Sequence, residues 1–139
     1  MQKEDIISFE TAKLLKERGY NEPTEHCYDM HGNLHDASDN FFTDDKDLTQ
    51  FNNHDNYNTI PVFGGATAPI IQEVLRWLRT VKRVFIEIGF NRWREYYTAH
   101  IFNMDNADED PFKVPTHFDS YEEAADKAIQ YYCKNIIGW

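Results

Sequence analysis

Cys27, His31 and His35 stand at four-residue intervals with His26 beside them, and thiolate plus imidazole is the donor set zinc prefers. The spacing matches no zinc pattern and a second thiolate is missing. A chain that reverses at Gly32-Asn33 also does not bring four-residue neighbours onto one face, so the segment reads as a surface hairpin with a half-buried Cys27. Asp36, Asp39, Asp44, Asp45 and Asp47 offer hard oxygen ligands, but the alternation, central glycine and terminal glutamate of a calcium loop are missing. They read as a solvated acidic loop. His100 can meet Glu87 or Glu95 as an acid/base pair, yet no nucleophile elbow, phosphate loop, HExxH or dinucleotide fingerprint accompanies it. Gly64-Gly65 lacks the other glycines and the lysine of a phosphate cradle. The chain therefore reads as non-catalytic, with no metal and no cofactor.

A second group of residues points to binding. Arg76, Arg79, Lys82, Arg83, Arg92 and Arg94 put six cations in nineteen residues, interrupted only by Glu87 and interleaved with Trp77 and Trp93. Such a stripe can grip phosphates while a tryptophan stacks on a base. The competing account has these cations neutralised by the chain's own carboxylates or simply solvated, and it is the favoured one. Recognition of double-stranded RNA is excluded on chemistry: a basic start to the last helix is needed there, whereas this chain has Ser120-Tyr121-Glu122-Glu123.

These residues must be positioned by elements whose signals differ in clarity. Ser8 is placed to cap a helix with Phe9, Ala12, Leu15 and Leu14 at helical spacing, Ile7 stapling its first turns and Gly19 stopping it. Residues 24 to 30 read as a short strand that reverses at His31-Gly32-Asn33 and returns through Leu34. Residues 36 to 58 form a long Asp/Asn-rich loop or insertion. Thr67 is then expected to cap a second helix with Pro69 in its first turn and Ile71, Val74, Leu75, Leu78 and Val81 as its buried stripe. The period changes at Val84, where Ile86, Ile88 and Phe90 continue an alternating strand. Asn91-Arg92 is expected to turn the chain into a second long strand over residues 93 to 103. An acidic loop over 104 to 115 precedes a capping box at Ser120 to Glu123, which opens a helix buried along Tyr121, Ala125, Ala128, Ile129, Tyr132 and Ile136 and ended by Gly138. The expected fold is α+β: one domain over residues 1 to 139, a two-layer sandwich of a small antiparallel sheet with helices on one face, in the order α-β-β-(long loop)-α-β-β-α.

The 139 residues carry 14 Lys+Arg against 24 Asp+Glu, a charge of −10, which sets the chain against polyanions at distance. That charge is uneven: residues 1 to 60 hold 13 acids against 5 bases, a net −8, and residues 61 to 139 hold 11 against 9, a net −2. With 41% hydrophobic and 15% aromatic residues the chain has material for a core, and no apolar run approaches the roughly 18 residues that span a bilayer. No membrane partner is expected, and the cytoplasm of a bacterial host is the expected compartment.

The run from Ser8 to Tyr20, SFETAKLLKERGY, resembles the SFETAKLAKEKGF opening of small uncharacterised proteins encoded by phages, prophages and mobile elements of gut bacteria. Ala68-Pro69 before Trp77-Leu78-Arg79, and Phe118-Asp119-Ser120-Tyr121-Glu122-Glu123-Ala124, are similar to two further segments of that family. The resemblance implies a phage-related origin and transfers no activity. The expected role is a non-catalytic accessory protein that binds a protein partner or itself through Trp77, Arg79, Arg83, Trp93 and Arg94, since tryptophan and arginine are enriched in interface hot spots. Two alternatives stand beside it: an acidic nucleic-acid mimic that occupies the basic groove of a host DNA-binding or defence protein, and direct nucleic-acid binding through the stripe at 76 to 94.

Overall fold

The computed structural model describes residues 5–22, 24–36, 65–136 and 139. The expected long loop beyond Asp36, the Gly64 part of the glycine pair and the Gly138 helix stop lie outside them. The chain is a mixed α+β protein, its described residues forming two three-stranded antiparallel sheets, and it divides into two compact units, Ser8–Pro69 and Met1–Ile7 with Ile70–Trp139.

In the Ser8–Pro69 unit, helix α1 (Phe9–Glu17) begins where Ser8 is extended and its hydroxyl accepts the Thr11 N–H at 3.3 Å. It ends where Gly19 takes φ +88° and the Tyr20 N–H turns back to the Leu15 carbonyl at 3.0 Å. Thr11, Ala12 and Leu15 are its buried face. Strands β1 (His26–Tyr28) and β2 (Leu34–Asp36) form the expected hairpin, pairing His26 with Asp36, Cys27 with His35 and Tyr28 with Leu34. A third strand, β3 (Ala66–Thr67), adds to the other edge of β1 through Cys27–Thr67 and Tyr28–Ala66.

Strand β3 corrects one expectation. Thr67 is no helix cap: the Ala68 N–H donates to the His26 carbonyl at 2.9 Å, so the segment is held extended up to Pro69, whose ring also disfavours a helical residue before it. Helix α2 (Ile71–Trp77) starts four residues later, after Ile70, with no side-chain cap.

In the second unit α2 runs into a π-helical turn, Leu78–Lys82, closed by Arg83 in the left-handed region at φ +57°. The wider turn advances each residue by a smaller rotation than an α-helix does, so the stripe slips. Leu78 remains fully buried, Val81 swings out to 56% exposed, and Trp77, expected on the surface, is buried instead. Strands β4 (Val84–Asn91) and β5 (Tyr96–Asn103) pair over eight consecutive positions, and β6 (Phe112–Lys113) adds to β5. β5 starts at Tyr96, three residues later than expected, because residues 92–95 form the turn. Helix α3 (Tyr121–Asn135) begins at Ser120, whose hydroxyl accepts the Glu123 N–H at 3.1 Å, as the capping box predicts. It packs on β4 and β5, with α2 beside it and the π turn against β4. Its Ala124, Ala125, Ala128, Ile129 and Tyr132 are fully buried, as are Val84, Ala99 and Ile101 beneath. Among the described residues no helix is long and apolar enough to cross a membrane.

The slipped stripe is open to a direct check by urea unfolding. Leu78→Ala should cost about 3 kcal/mol, as a fully buried leucine does, whereas Val81→Ala should stay within about 0.5 kcal/mol. Equal costs would mean that the turn is an ordinary α-helix.

Candidate functional site

The β4–β5 hairpin ends in four residues, Arg92 to Glu95, all exposed. Asn91 organises them: its side-chain carbonyl accepts the N–H groups of Trp93 at 3.0 Å and Arg94 at 3.1 Å, and its backbone carbonyl accepts the Glu95 N–H at 2.7 Å. Glu95 closes the turn at φ +57°, a conformation that costs a non-glycine residue roughly 1 kcal/mol. On this braced turn Trp93 stands 83% exposed with the Arg92 guanidinium 5.1 Å from its ring. Below the tip, Phe90 meets Tyr97 at 4.9 Å on one face, and Tyr96 meets His117 at 4.4 Å on the other.

The expected basic stripe does not stay together. Arg76 approaches Glu73 at 3.9 Å, Arg79 is half-buried, and the Lys82 ammonium sits 5.5 Å from the buried Trp77 ring. Arg83 donates to Asp105 at 3.1 Å, so one expected partner-binding cation is neutralised by the chain's own acidic loop. Arg83 and Arg94 flank opposite ends of β4, which at ~3.4 Å per residue separates them by roughly 25 Å. Of the five expected contact residues the structure brings Trp93 and Arg94 together at the tip and sets Trp77, Arg79 and Arg83 elsewhere.

The acidic loop after β5 is tied rather than merely solvated. Glu109 accepts from Asn103 at 3.2 Å, from Asn106 at 3.4 Å and from the Trp139 indole at 3.2 Å, and the Trp139 ring lies against Phe112. A pocket of about 230 Å³ at the start of α2 and α3 is lined by Asp5, Ile70, Ile71, Gln72, Tyr121 and Glu122. Among the described residues no histidine, cysteine or hydroxyl group other than that of Tyr121 lines it. His100 lies opposite Glu87 in the ladder without a hydrogen bond to it, and Glu95 is in the turn. The enclosed Nδ1 of His100 has no hydrogen-bond partner among the described residues.

At the other hairpin, Cys27 and His35, eight residues apart, are direct cross-strand partners and so share a face, while His31, four residues from each, does not join them. Cys27 is fully buried rather than half-buried, and His31 is exposed in the turn. His35 is committed elsewhere. Its Nε2 donates to Asp29 at 2.9 Å, and the same carboxylate accepts the N–H groups of His31 at 2.9 Å and Asn33 at 3.0 Å and the Asn33 amide at 3.1 Å. Among the described residues no group of three or more His, Cys, Asp or Glu is arranged to hold a metal. Sequence reading missed Asp29, although an aspartate placed just before a Gly-Asn reversal is the signal of a side chain that organises a turn. Burial raises the Asp29 carboxyl, but the hydrogen bonds from His35, Asn33 and His31 outweigh it and hold the group well below the usual carboxylate range.

Compared with models of known protein families, with curated proteins and with solved structures, the chain finds no match in any of the three.

Because the Asp29 carboxyl is lowered on folding, its contribution to stability is present above its ordinary value of 3.8 and is lost as pH falls below it. The difference in unfolding free energy between the wild type and Asp29→Ala should therefore be larger at about pH 7 than at about pH 2.5. A gap independent of pH would refute the hydrogen-bonding role of Asp29. At the tip, Glu95→Gly should raise stability by about 1 kcal/mol by relieving the left-handed backbone, and a loss of stability in urea would contradict that geometry.

Proposed function

We propose that the chain is a non-catalytic interaction module, of the phage-type accessory class its sequence resembles, that engages a protein partner through Arg92, Trp93 and Arg94. One observation carries the reading: Trp93 stands 83% exposed on a turn fixed by Asn91, with a guanidinium on each side in sequence. An indole held in water by a stiff turn has little conformational entropy to lose on docking and a large apolar area to bury. Its two arginines suit a recess rimmed by carboxylates. The expected compartment remains the cytoplasm of a bacterial host.

The nucleic-acid reading keeps one supporting feature, an aromatic ring between two arginines, which suits a stacked base. Against it stand the charge of −10 and the dispersal of the remaining cations. The nucleic-acid-mimic reading draws less support still. Asp105 and Glu109 are engaged within the chain, which leaves fewer carboxylates to imitate a row of phosphates.

Capture from the native host, with the wild type and Trp93→Ala or Arg94→Ala as baits, tests the proposal. Each variant should fold with unchanged circular dichroism and weaken partner binding by about 2 kcal/mol, roughly thirtyfold. Undiminished capture by both variants would sink it, and a captured species that is nuclease-sensitive would move the assignment to nucleic acid.

A further inference from the structure

Among the described residues the β4-β5-β6 sheet is guarded at one edge only. On the far side of β5 the chain covers the ladder with β6, two residues long between Pro111 and Pro115, and with the Tyr97–Phe118 bridge. Short length, proline and Lys113 are the usual means of blunting an edge. β4, at the other edge, has eight residues, no proline and a single charge, Glu87.

The polar groups of that edge can be assigned. The Met104 N–H donates to the Arg83 carbonyl at 2.9 Å, so the odd-numbered residues of β4 bond to β5. Ile86, Ile88 and Phe90 turn their N–H and C=O groups the other way. Among the described residues β4 pairs with β5 alone, and no further backbone hydrogen bond reaches these three. Val84 faces the same way but has no exposed surface, whereas Ile86 keeps 8% and Phe90 54%, so the usable stretch is 86–90.

We propose that this stretch pairs antiparallel with the same stretch of a second copy, about a twofold axis at Ile88. Opposite residues of an antiparallel pair share a face, so a twofold pairing must set one residue against its own copy. An axis at Glu87 would oppose two carboxylates and would require the buried Val84 to meet Phe90. An axis at Ile86 would leave Phe90 uncovered. At Ile88 the stretch is its own complement: Ile86 meets Phe90 of the second copy on the helix side, and Glu87 meets Gly89 on the other. About six backbone hydrogen bonds would form, and the two Glu87 carboxylates would lie a diagonal step apart rather than face to face. That self-match selects a second copy over a strand from another protein.

Sedimentation over a concentration series should give twice the chain mass for the wild type and the single mass for Phe90→Lys. Ile88→Pro removes an N–H that β5 does not use and should also yield monomer. On mild oxidation Ile88→Cys should cross-link to itself faster than Glu87→Cys. A wild type monomeric throughout, a dimer indifferent to Phe90→Lys, or faster cross-linking by Glu87→Cys would each overturn the proposal. Trp93→Ala should remain dimeric, which separates this interface from the one at the tip.

Discussion

Eight successive cross-strand pairs join β4 to β5, from Val84–Asn103 to Asn91–Tyr96, and most of the unit that contains them follows from that ladder. Because neighbouring residues alternate faces, the ladder sorts the strands: Val84, Ile86, Ala99 and Ile101 go to the helices, while Phe85 and Phe102, 6.2 Å apart, go to the other face with Glu87 and His100. Helix α3 answers the first face with three alanines, Ala124, Ala125 and Ala128, whose small side chains let its backbone approach the sheet. The same unbroken pairing delivers Trp93 to the tip and holds Arg83 at the other end. Charge that is continuous along the chain is thereby distributed over the surface.

What the sequence made legible, and what it hid, follows the range of the forces involved. The Ser8 and Ser120 caps, the Gly19 stop, the reversal near Gly32-Asn33 and the alternation from Val84 are local: each is decided within a few residues. The α+β class followed from them. Thr67 was misread because its fate depends on pairing with Cys27, forty residues away, and a threonine before proline fits a cap and a strand end equally well. Val81 was misread because a π turn leaves the composition of a helix unchanged while altering its rotation. The start of β5 was placed too early because Trp93 and Arg94 continue the alternation into a turn that Asn91 governs through its side chain.

The candidate site shows the same division. Trp93 and Arg94 were legible as residue types that bind, but their separation from Trp77, Arg79 and Arg83 was not, since sequence adjacency across a hairpin says nothing of the distance between its ends. The cysteine and histidines show the converse. Cys27 and His35, eight residues apart, are brought onto one face by pairing, while hydrogen bonding spends the imidazole on Asp29. Ligand spacing is informative only once the register is known.

The three tryptophans occupy three different surroundings. Trp77 is enclosed with the Lys82 ammonium near its ring, Trp93 stands in water, and Trp139 is hydrogen-bonded to Glu109 and edge-on to Phe112. An indole's emission shifts to the red as its surroundings become more polar, so the intrinsic fluorescence of the chain is a sum of separable colours. The reddest of them, and the one an aqueous quencher reaches first, belongs to the turn of the β4–β5 hairpin. The chain thus carries its own optical label where contact with a partner is proposed.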